Sequence, residues 1–477
     1  MKRNLLVFIL LVSLMAGWSG CRQAEEPKKV KYCFLFIGDG MGVAQVNLTE
    51  AYLSAIQGEK GFDRLSFSKF PVSGLVTTYA HNRFITCSAA AATAFACGYK
   101  TDIGRIGTDS TGQQPFKSIA TLSKENGMRV GILTSVSIDH ATPAAFYAHD
   151  PSRDNYFDIG IDLANSNFDF YGGGGFKKPE GMLDGQPANV IDEARKNGFA
   201  YLDSPEDYQG LDTLKGKVIA VYPKLLNNGA MPYVIDKPAG PTLADFTEMA
   251  INRLDNEDGF FMMVEGGKID WACHSNDAAS SVQEAIAFSD AVQKAIDFYH
   301  QHPDETLILV TADHETGGLA LGARKTEYES HYDLLQYQQM SIDKFNKEIK
   351  DFHAGLSGRK KMKRERLLEM IAGNFGLGKE IPLTDEEKDR IWDSFKDSFG
   401  KGQQQQATYT DYPKISETVI RMVSEKAGIG WTTLSHTGIN IPIYAMGVGS
   451  EKFTGVIDNT DIPRIMTGIM ALQTPEN

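Results

Sequence analysis

The stretch Tyr32-Cys33-Phe34-Leu35-Phe36-Ile37-Gly38-Asp39-Gly40-Met41-Gly42 decides how the rest of the chain is read. An unbroken apolar run with no polar alternation predicts a strand buried on both faces, and the glycine-rich segment after it predicts a tight turn at the strand's carboxyl end. Runs of the same kind recur at residues 130–133, 260–264, 307–311 and 443–448. Helical spacing lies between them: in 281–299, Val282, Ala285, Ile286, Val292, Ala295, Ile296 and Tyr299 share one face. Strands alternating with helices predict an α/β fold, a mostly parallel central sheet sandwiched between helices. In such sheets ligands bind beyond the carboxyl ends of the strands.

The chain has 477 residues, with 42% hydrophobic and 23% charged side chains, the balance of a globular protein rather than a disordered or polytopic one. Its 48 Lys and Arg against 61 Asp and Glu leave a net charge of −13. That excludes a broad nucleic-acid-binding surface, and it requires any anionic substrate to be held by a local positive site.

Lys2 and Arg3 precede an apolar run at 5–12, too short to span a membrane at ~20 residues per crossing. This charge-then-apolar order predicts a secretory signal over 1–20. The segment closes on Ser19-Gly20-Cys21, similar to a bacterial lipoprotein signal, although Trp18 stands where that class usually has an aliphatic residue. The expectation is export to the periplasm or outer membrane, with a lipid on Cys21 as the sole membrane attachment and 21–31 as a tether. Cys33, Cys87, Cys97 and Cys273 sit in apparent core strands and motifs rather than in a loop framework, and are expected to be buried free thiols. Residues 32–477 read as one domain. The strand pattern stops between Thr316 and Ser435, where charged helical segments at 334–352, 360–371 and 385–399 predict a helical insertion over about 325–425. The last of these opens on the capping box Thr384-Asp385-Glu386-Glu387.

Ionisable residues collect where the strands end. Asp39 follows the first strand; Glu265, Asp270 and His274 follow 260–264; Asp313, His314 and Glu315 follow 307–311; His436 precedes the last core strand. Each has a plain structural reading: a turn-forming Asp, a strand exit, a helix surface pair. Asp39, Glu265, Asp270 and Asp313, converging with three imidazoles on one sheet edge, are costly to bury without partners. Such an N/O ligand set suits zinc with a harder companion ion. Ser88 opens the alanine-rich segment Ser88-Ala89-Ala90-Ala91-Ala92-Thr93-Ala94. At a helix N-terminus its Oγ would lie beside free N–H groups and the positive dipole end. Thr142 in His140-Ala141-Thr142-Pro143 offers a hard oxygen, and Arg153 a planar fork for two phosphate oxygens. Alone, the alanine run is a packed core helix and Arg153 a surface residue.

Six segments, Ile37-Gly38-Asp39-Gly40-Met41-Gly42, Thr86-Cys87-Ser88 with its alanines, His140-Ala141-Thr142-Pro143, Val264-Glu265-Gly266-Gly267-Lys268-Ile269-Asp270, Thr311-Ala312-Asp313-His314-Glu315-Thr316 and Ser435-His436-Thr437-Gly438, stand in the order of the alkaline phosphatase signatures, and the chain resembles that family over about 30–320 and 430–475. The resemblance implies hydrolysis of phosphate monoesters through a phosphoserine on Ser88, at a site of two zinc ions and one magnesium. It implies Asp270, His274 and His436 on the first zinc, Asp39, Asp313 and His314 on the second, and Asp39, Thr142 and Glu265 on magnesium, with Arg153 clamping the phosphate. It also implies homodimers in many members. Cys87 replaces an Asp that usually orients the Arg, and His140 and Trp271 stand where some bacterial members have Asp and Lys, which predicts weaker magnesium binding and altered surroundings for the ligands. The rival readings are a phosphodiesterase of the same superfamily and a non-catalytic surface lipoprotein. A sulfatase is disfavoured because Ala90-Ala91 follow Cys87-Ser88-Ala89 where its motif needs Ser-Arg.

Overall fold

The opening apolar run is strand β1 (Tyr32–Ile37), buried along its whole length in a computed structural model that describes residues 29–226, 228–355, 360–400 and 412–473. The signal segment, Cys21 and most of the tether lie outside the described residues. Nine more strands join β1 in one sheet: β2 (Val72–Thr77), β3 (Arg129–Thr134), β4 (Phe170–Gly173), β5 (Phe199–Leu202), β6 (Lys217–Val221), β7 (Phe260–Glu265), β8 (Thr306–Thr311), β9 (Ile441–Gly447) and β10 (Gly455–Asp458). Their order is β10-β2-β9-β8-β1-β7-β3-β4-β6-β5. Every pairing is parallel except those of β9, which runs against both β8 and β2.

Register matters more than order here. Ile37 lies beside Thr311 and Glu265, and Thr134 beside Glu265. Four adjacent strands therefore end at one level, and whatever follows each of them shares one edge. That is where a mostly parallel sheet leaves a crevice.

Helices cover the sheet. Helix α1 (Ser88–Cys97) is nearly all buried and stops at Gly98, whose φ of +77° and N–H bond to the Ala94 carbonyl make a left-handed cap. Alanine permits this close approach because it adds little bulk and the best helix propensity. Helix α2 (Leu243–Leu254), the short α3 (Lys268–His274) and the long α4 (Ala278–Tyr299) follow. The packing of α2 on α4 and of α3 on α4 fixes the segment just after β7.

Between 325 and 425 lie a 3-10 turn (Tyr332–Tyr337) and helices α5 (Ile342–Ala354), α6 (Lys360–Phe375), α7 (Asp385–Phe399) and α8 (Lys414–Ala427). The segment read as one helix over 334–352 is thus divided: Ser341 caps a fresh helix by accepting from the Lys344 N–H. The capping box at Thr384 and Glu387 forms as read. These helices share a second apolar core, centred on Phe345, Ile371, Trp392 and Val419, with Leu48, Tyr52 and Ala272 of the main body. Two short strands interrupt the stretch read as strandless, Leu319–Ala320 pairing with Gly430–Trp431, and they pin its two ends together.

All four described cysteines are free, but only Cys33 and Cys273 are buried. Cys87 and Cys97 are half-buried because they stand at the two ends of α1, one as its N-cap and one as its last residue. Among the described residues no helix is long and apolar enough to cross a membrane.

Candidate active site

Asp39 follows β1 in a turn that Gly40 permits with φ +72°. The Gly40 N–H donates to Asp313 Oδ1 at 3.1 Å, and the His314 N–H donates to the same oxygen at 2.9 Å. The turn after β1 thereby fixes the carboxylate after β8. Asp270 and His274 sit one helical turn apart on α3, with His274 Nε2 3.3 Å from Asp270 Oδ2. His436 comes from a two-residue strand, His436–Thr437, paired with Glu315–Thr316.

The imidazoles share one arrangement. His274 Nδ1 is 2.6 Å from the Leu434 carbonyl and His436 Nδ1 is 2.9 Å from the Thr86 carbonyl, contacts that only a ring N–H satisfies. Thr316 Oγ1 donates to Asp270 Oδ1 at 2.6 Å and so accepts from His314 Nδ1 at 3.2 Å. In all three rings Nδ1 therefore carries a proton, and Nε2 is the atom that points inward. His314 Nε2 meets Asp313 Oδ2 at 3.2 Å, Asp39 Oδ1 at 3.5 Å and Ser88 Oγ at 3.3 Å. His436 Nε2 meets His274 Nε2 at 3.2 Å and Asp270 Oδ1 at 3.7 Å.

Ligand atoms gather in three overlapping sets, each within 4.8 Å: Asp270, His314 and His436; Asp39, Asp313 and His314; Asp39, His140 and Glu265. Both oxygens of Asp39, Asp313 Oδ2, Glu265 Oε1 and Thr142 Oγ1 are buried without a hydrogen-bond partner. Orphaned acceptors of this kind are what a cation would satisfy. Burial, aided by the charges of Asp313, Asp270 and Glu265, holds the Asp39 carboxyl well above its usual range. Burial likewise raises Asp313 to about 8 and Glu265 to about 7. Asp270 goes the other way: burial opposes its charge, but His274, His436 and His314 outweigh it. Burial also works against a charged His274, yet Asp270 and the Leu434 carbonyl raise that ring to about 9. Burial depresses His314, His436 and His140. A carboxylate cluster this short of positive charge is matched to ions, and the donor set fits nitrogen-and-oxygen metal sites.

Ser88 stands at the N-terminus of α1, and Cys87 caps that helix without a side-chain hydrogen bond. Arg153 directs Nη2 to His140 Nε2 at 3.1 Å. Cys87 instead accepts from the Gly104 N–H through Sγ at 3.3 Å. His140 meets the Trp271 ring edge to face, centroids 6.0 Å apart. The structure thus places Ser88, Arg153, His140, Trp271, Asp270, His274 and His436 on one cleft of about 630 Å³, with Asp39, Asp313, His314, Thr142 and Glu265 buried beneath it.

Three residues that the sequence reading passed over shape the site. Thr134, ending β3, gives its hydroxyl to Glu265 Oε2 and accepts the Val136 N–H at 3.0 Å. Nothing in the apolar run 130–133 marks it; only its register beside Glu265 does. Asp343 and Tyr412 reach the cleft from the helical stretch 325–425, and no motif flags either. Glu315, grouped above with the ionisable strand ends, lies in none of the ligand sets. It accepts from Gln45 at 2.8 Å, from the Gly318 and Leu319 N–H groups at 3.1 Å, and from Thr437, so it ties the His436 strand into place.

Comparison with known proteins finds relatives along almost the whole described chain. Residues 30–472 match the family model described as Alkaline phosphatase. "Alkaline phosphatase 3" of Bacillus subtilis (strain 168) is 33% identical over 472 residues, covering 96% of this chain and 93% of the relative. The solved structure of a cold-active alkaline phosphatase from a psychrophilic Shewanella sp. superposes with a TM-score of 0.75 at 28% identity, covering 92% of this chain and 99% of that one. The alkaline phosphatase of Thermus thermophilus gives the same TM-score at 25% identity, over 96% of this chain and 95% of its own.

Proposed function

The chain belongs to the alkaline phosphatase family, metal-dependent phosphoric monoester hydrolases, and from that premise we propose that Ser88 is the nucleophile of a phosphoserine mechanism served by two zinc ions and one magnesium. The observation that carries this reading is the convergence of three inward-facing imidazole Nε2 atoms, the unpartnered Asp39 oxygens and Asp313 Oδ2 beside Ser88 Oγ. In the proposed assignment Asp270, His274 and His436 hold one zinc, and Asp39, Asp313 and His314 the other. Asp39, Glu265 and Thr142 hold magnesium. His314 belongs to two of the three ligand sets, so the two zinc sites would be close neighbours.

Bound there, the ions would supply Lewis-acid charge that lowers the pKa of a hydroxyl and offsets the phosphoryl oxygens. The side chains do the rest. Arg153 hydrogen-bonds two phosphoryl oxygens and sets the phosphorus in line with Ser88 Oγ. Ser88 Oγ attacks; the P–O bond to the alcohol breaks, the alcohol leaves with a proton, and phosphoserine forms. Water then attacks the same phosphorus, the bond to Ser88 Oγ breaks, and inorganic phosphate departs while Ser88 regains its proton. Two in-line steps give net retention at phosphorus. The helix N-terminus at Ser88 favours the anionic states on both sides of each step.

His140 beside Asp39 and Glu265 stands where a further oxygen donor would serve a hard ion better, which weakens magnesium binding there. A second proposal concerns export. Lys2, Arg3, the apolar run and Ser19-Gly20-Cys21 support a lipoprotein signal and a periplasmic or outer-membrane location; labelled palmitate should enter the wild-type chain and not a Cys21→Ala variant. For the catalytic reading, the test is activity on 4-nitrophenyl phosphate against bis(4-nitrophenyl) phosphate, before and after EDTA, with metal analysis. A clear preference for the diester, or activity untouched by EDTA, would overturn it.

A further inference from the structure

The cleft above Ser88 is larger than a phosphoryl group needs. Its volume of about 630 Å³ falls in the range of pockets that enclose whole small molecules, ~300–1,000 Å³. Ser88, Arg153 and the imidazoles occupy one end. The rest is walled by Trp271 from α3 and by Asp343 and Tyr412 from the helical stretch 325–425.

Both rings are half-buried, so each keeps an open surface. Both are also held from behind. Trp271 meets the His140 ring edge to face on one side, and on another the Lys268 ammonium lies 4.8 Å from its centroid. Lys268 is itself fully buried, has no hydrogen-bond partner for Nζ, and rests 3.4 Å over the Tyr233 ring. A buried cation laid against two aromatic faces helps fix those faces, and the charge of Asp343, with those of Glu284 and Asp236, holds the ammonium there. Tyr412 is fixed at its other end, because its hydroxyl donates to Asp343 Oδ1. Rings already immobilised lose little freedom when a flat group is laid on them. Asp343 keeps a second carboxylate oxygen for a donor on that group.

Resting on the phosphomonoesterase reading above, we propose that Trp271 and Tyr412 form a leaving-group subsite, and that the enzyme prefers monoesters whose alcohol carries an aromatic ring with a hydrogen-bond donor. The helical stretch thereby acquires a role: it supplies one wall of the subsite.

The test compares a nucleoside 5′-monophosphate with ribose 5-phosphate. Both expel a primary alkoxide, so they differ mainly in the ring presented to the subsite. The expected ratio of kcat/KM is tenfold or more in favour of the nucleotide in the wild-type metalloenzyme. It should fall to within twofold of unity in Tyr412→Ala and in Tyr412→Leu, which retains bulk without a ring, each checked for unaltered metal content. Equal kcat/KM values in the wild type, or an undiminished ratio in both variants, would overturn the subsite. Failure of the wild type to hydrolyse either ester would instead overturn the phosphomonoesterase reading beneath it.

Discussion

His274 and His436 turn their Nε2 atoms toward each other at 3.2 Å, while each ring gives its Nδ1 proton to a backbone carbonyl. Two lone pairs facing at that distance repel unless a proton or a cation stands beside them. Asp270 lies next to both, and its charge raises His274 to about 9 against the effect of burial. The protein without metal therefore tolerates this contact by holding a proton, and a metal ion would replace that proton.

Chelation should accordingly cost fold stability as well as activity. Binding that is exclusive to the folded state contributes about 2.7 kcal/mol when free ligand is a hundredfold above Kd. We expect EDTA to abolish phosphatase activity and lower Tm by several degrees, with zinc restoring both. Calorimetry of the chelated and reloaded protein reads this directly, and an unchanged Tm would mean that the carboxylates are satisfied by something other than a cation.

The same groups set the pH dependence. Asp313 is raised to about 8 and Glu265 to about 7 by burial in the folded chain, against roughly 3.9 and 4.3 for free side chains. The folded protein then holds more protons than the unfolded one between those limits. The stability these groups confer is full below about pH 4 and is lost as pH rises through 7 to 8. The loss amounts to about 1.4 kcal/mol per pH unit for each excess proton. Metal competes with those protons, so the gap in Tm between zinc-loaded and chelated protein should widen from pH 5 to pH 8. A gap of constant size would refute the linkage.

Ser88→Ala separates chemistry from binding. Ser88 Oγ touches His314 Nε2, but each proposed ion keeps three other protein ligands, so the variant should retain its metal content. It should lose activity by at least about a thousandfold, as removal of a nucleophile does, and form no phosphoenzyme with labelled substrate. Label trapped on any other residue would remove Ser88 from the role.

The strands were legible because burial on both faces leaves an unbroken apolar run: Tyr32–Ile37 forms with the boundaries read from the sequence. The ligand candidates were legible because a carboxylate or imidazole after such a run has few other reasons to be there, and Asp39, Asp313, His314, Asp270, His274 and His436 do meet. What escaped depends on register and on long-range docking. Thr134 is one threonine among many until β3 is laid beside β7. Tyr412 and Asp343 enter the cleft only because the 325–425 helices fold onto the core around Ala272. Glu315, read with the ionisable strand ends, is consumed by hydrogen bonds that no local pattern announces.

Thr134 offers a test of that hidden layer. Its hydroxyl orients Glu265 while accepting the Val136 N–H, leaving Oε1 free for an ion. Thr134→Val keeps the shape and β-branching of a strand residue and removes the hydroxyl. Loss of such a supporting contact typically weakens a metal site by about 10–100-fold. Magnesium titration of activity should show a shift of that size, with Tm nearly unchanged in saturating metal; an unaltered titration would assign Thr134 to packing alone.

Gly40 joins backbone conformation to the site more tightly than any ligand does. Its φ of +72° is one that a side chain disfavours, and a Cβ there would come within 2.9 Å of Asp270 Cα and of Thr316 Oγ1. Gly104 has a similar φ of +84° with nothing within 4 Å of its hypothetical Cβ. Both Gly→Ala changes incur the left-handed penalty of roughly 1–2 kcal/mol; Gly40→Ala alone must also push apart the turn after β1 and helix α3. The two variants differ only in crowding, so their difference isolates it. We expect Gly104→Ala to lose modest stability and keep most of its activity. Gly40→Ala should lose further stability, and at least about tenfold in kcat/KM, because Asp270 and Asp39 are displaced relative to one another. Denaturant melts and steady-state kinetics on the pair decide the matter, and equal behaviour of the two would show that the approach of this turn to α3 is loose enough to absorb a methyl group.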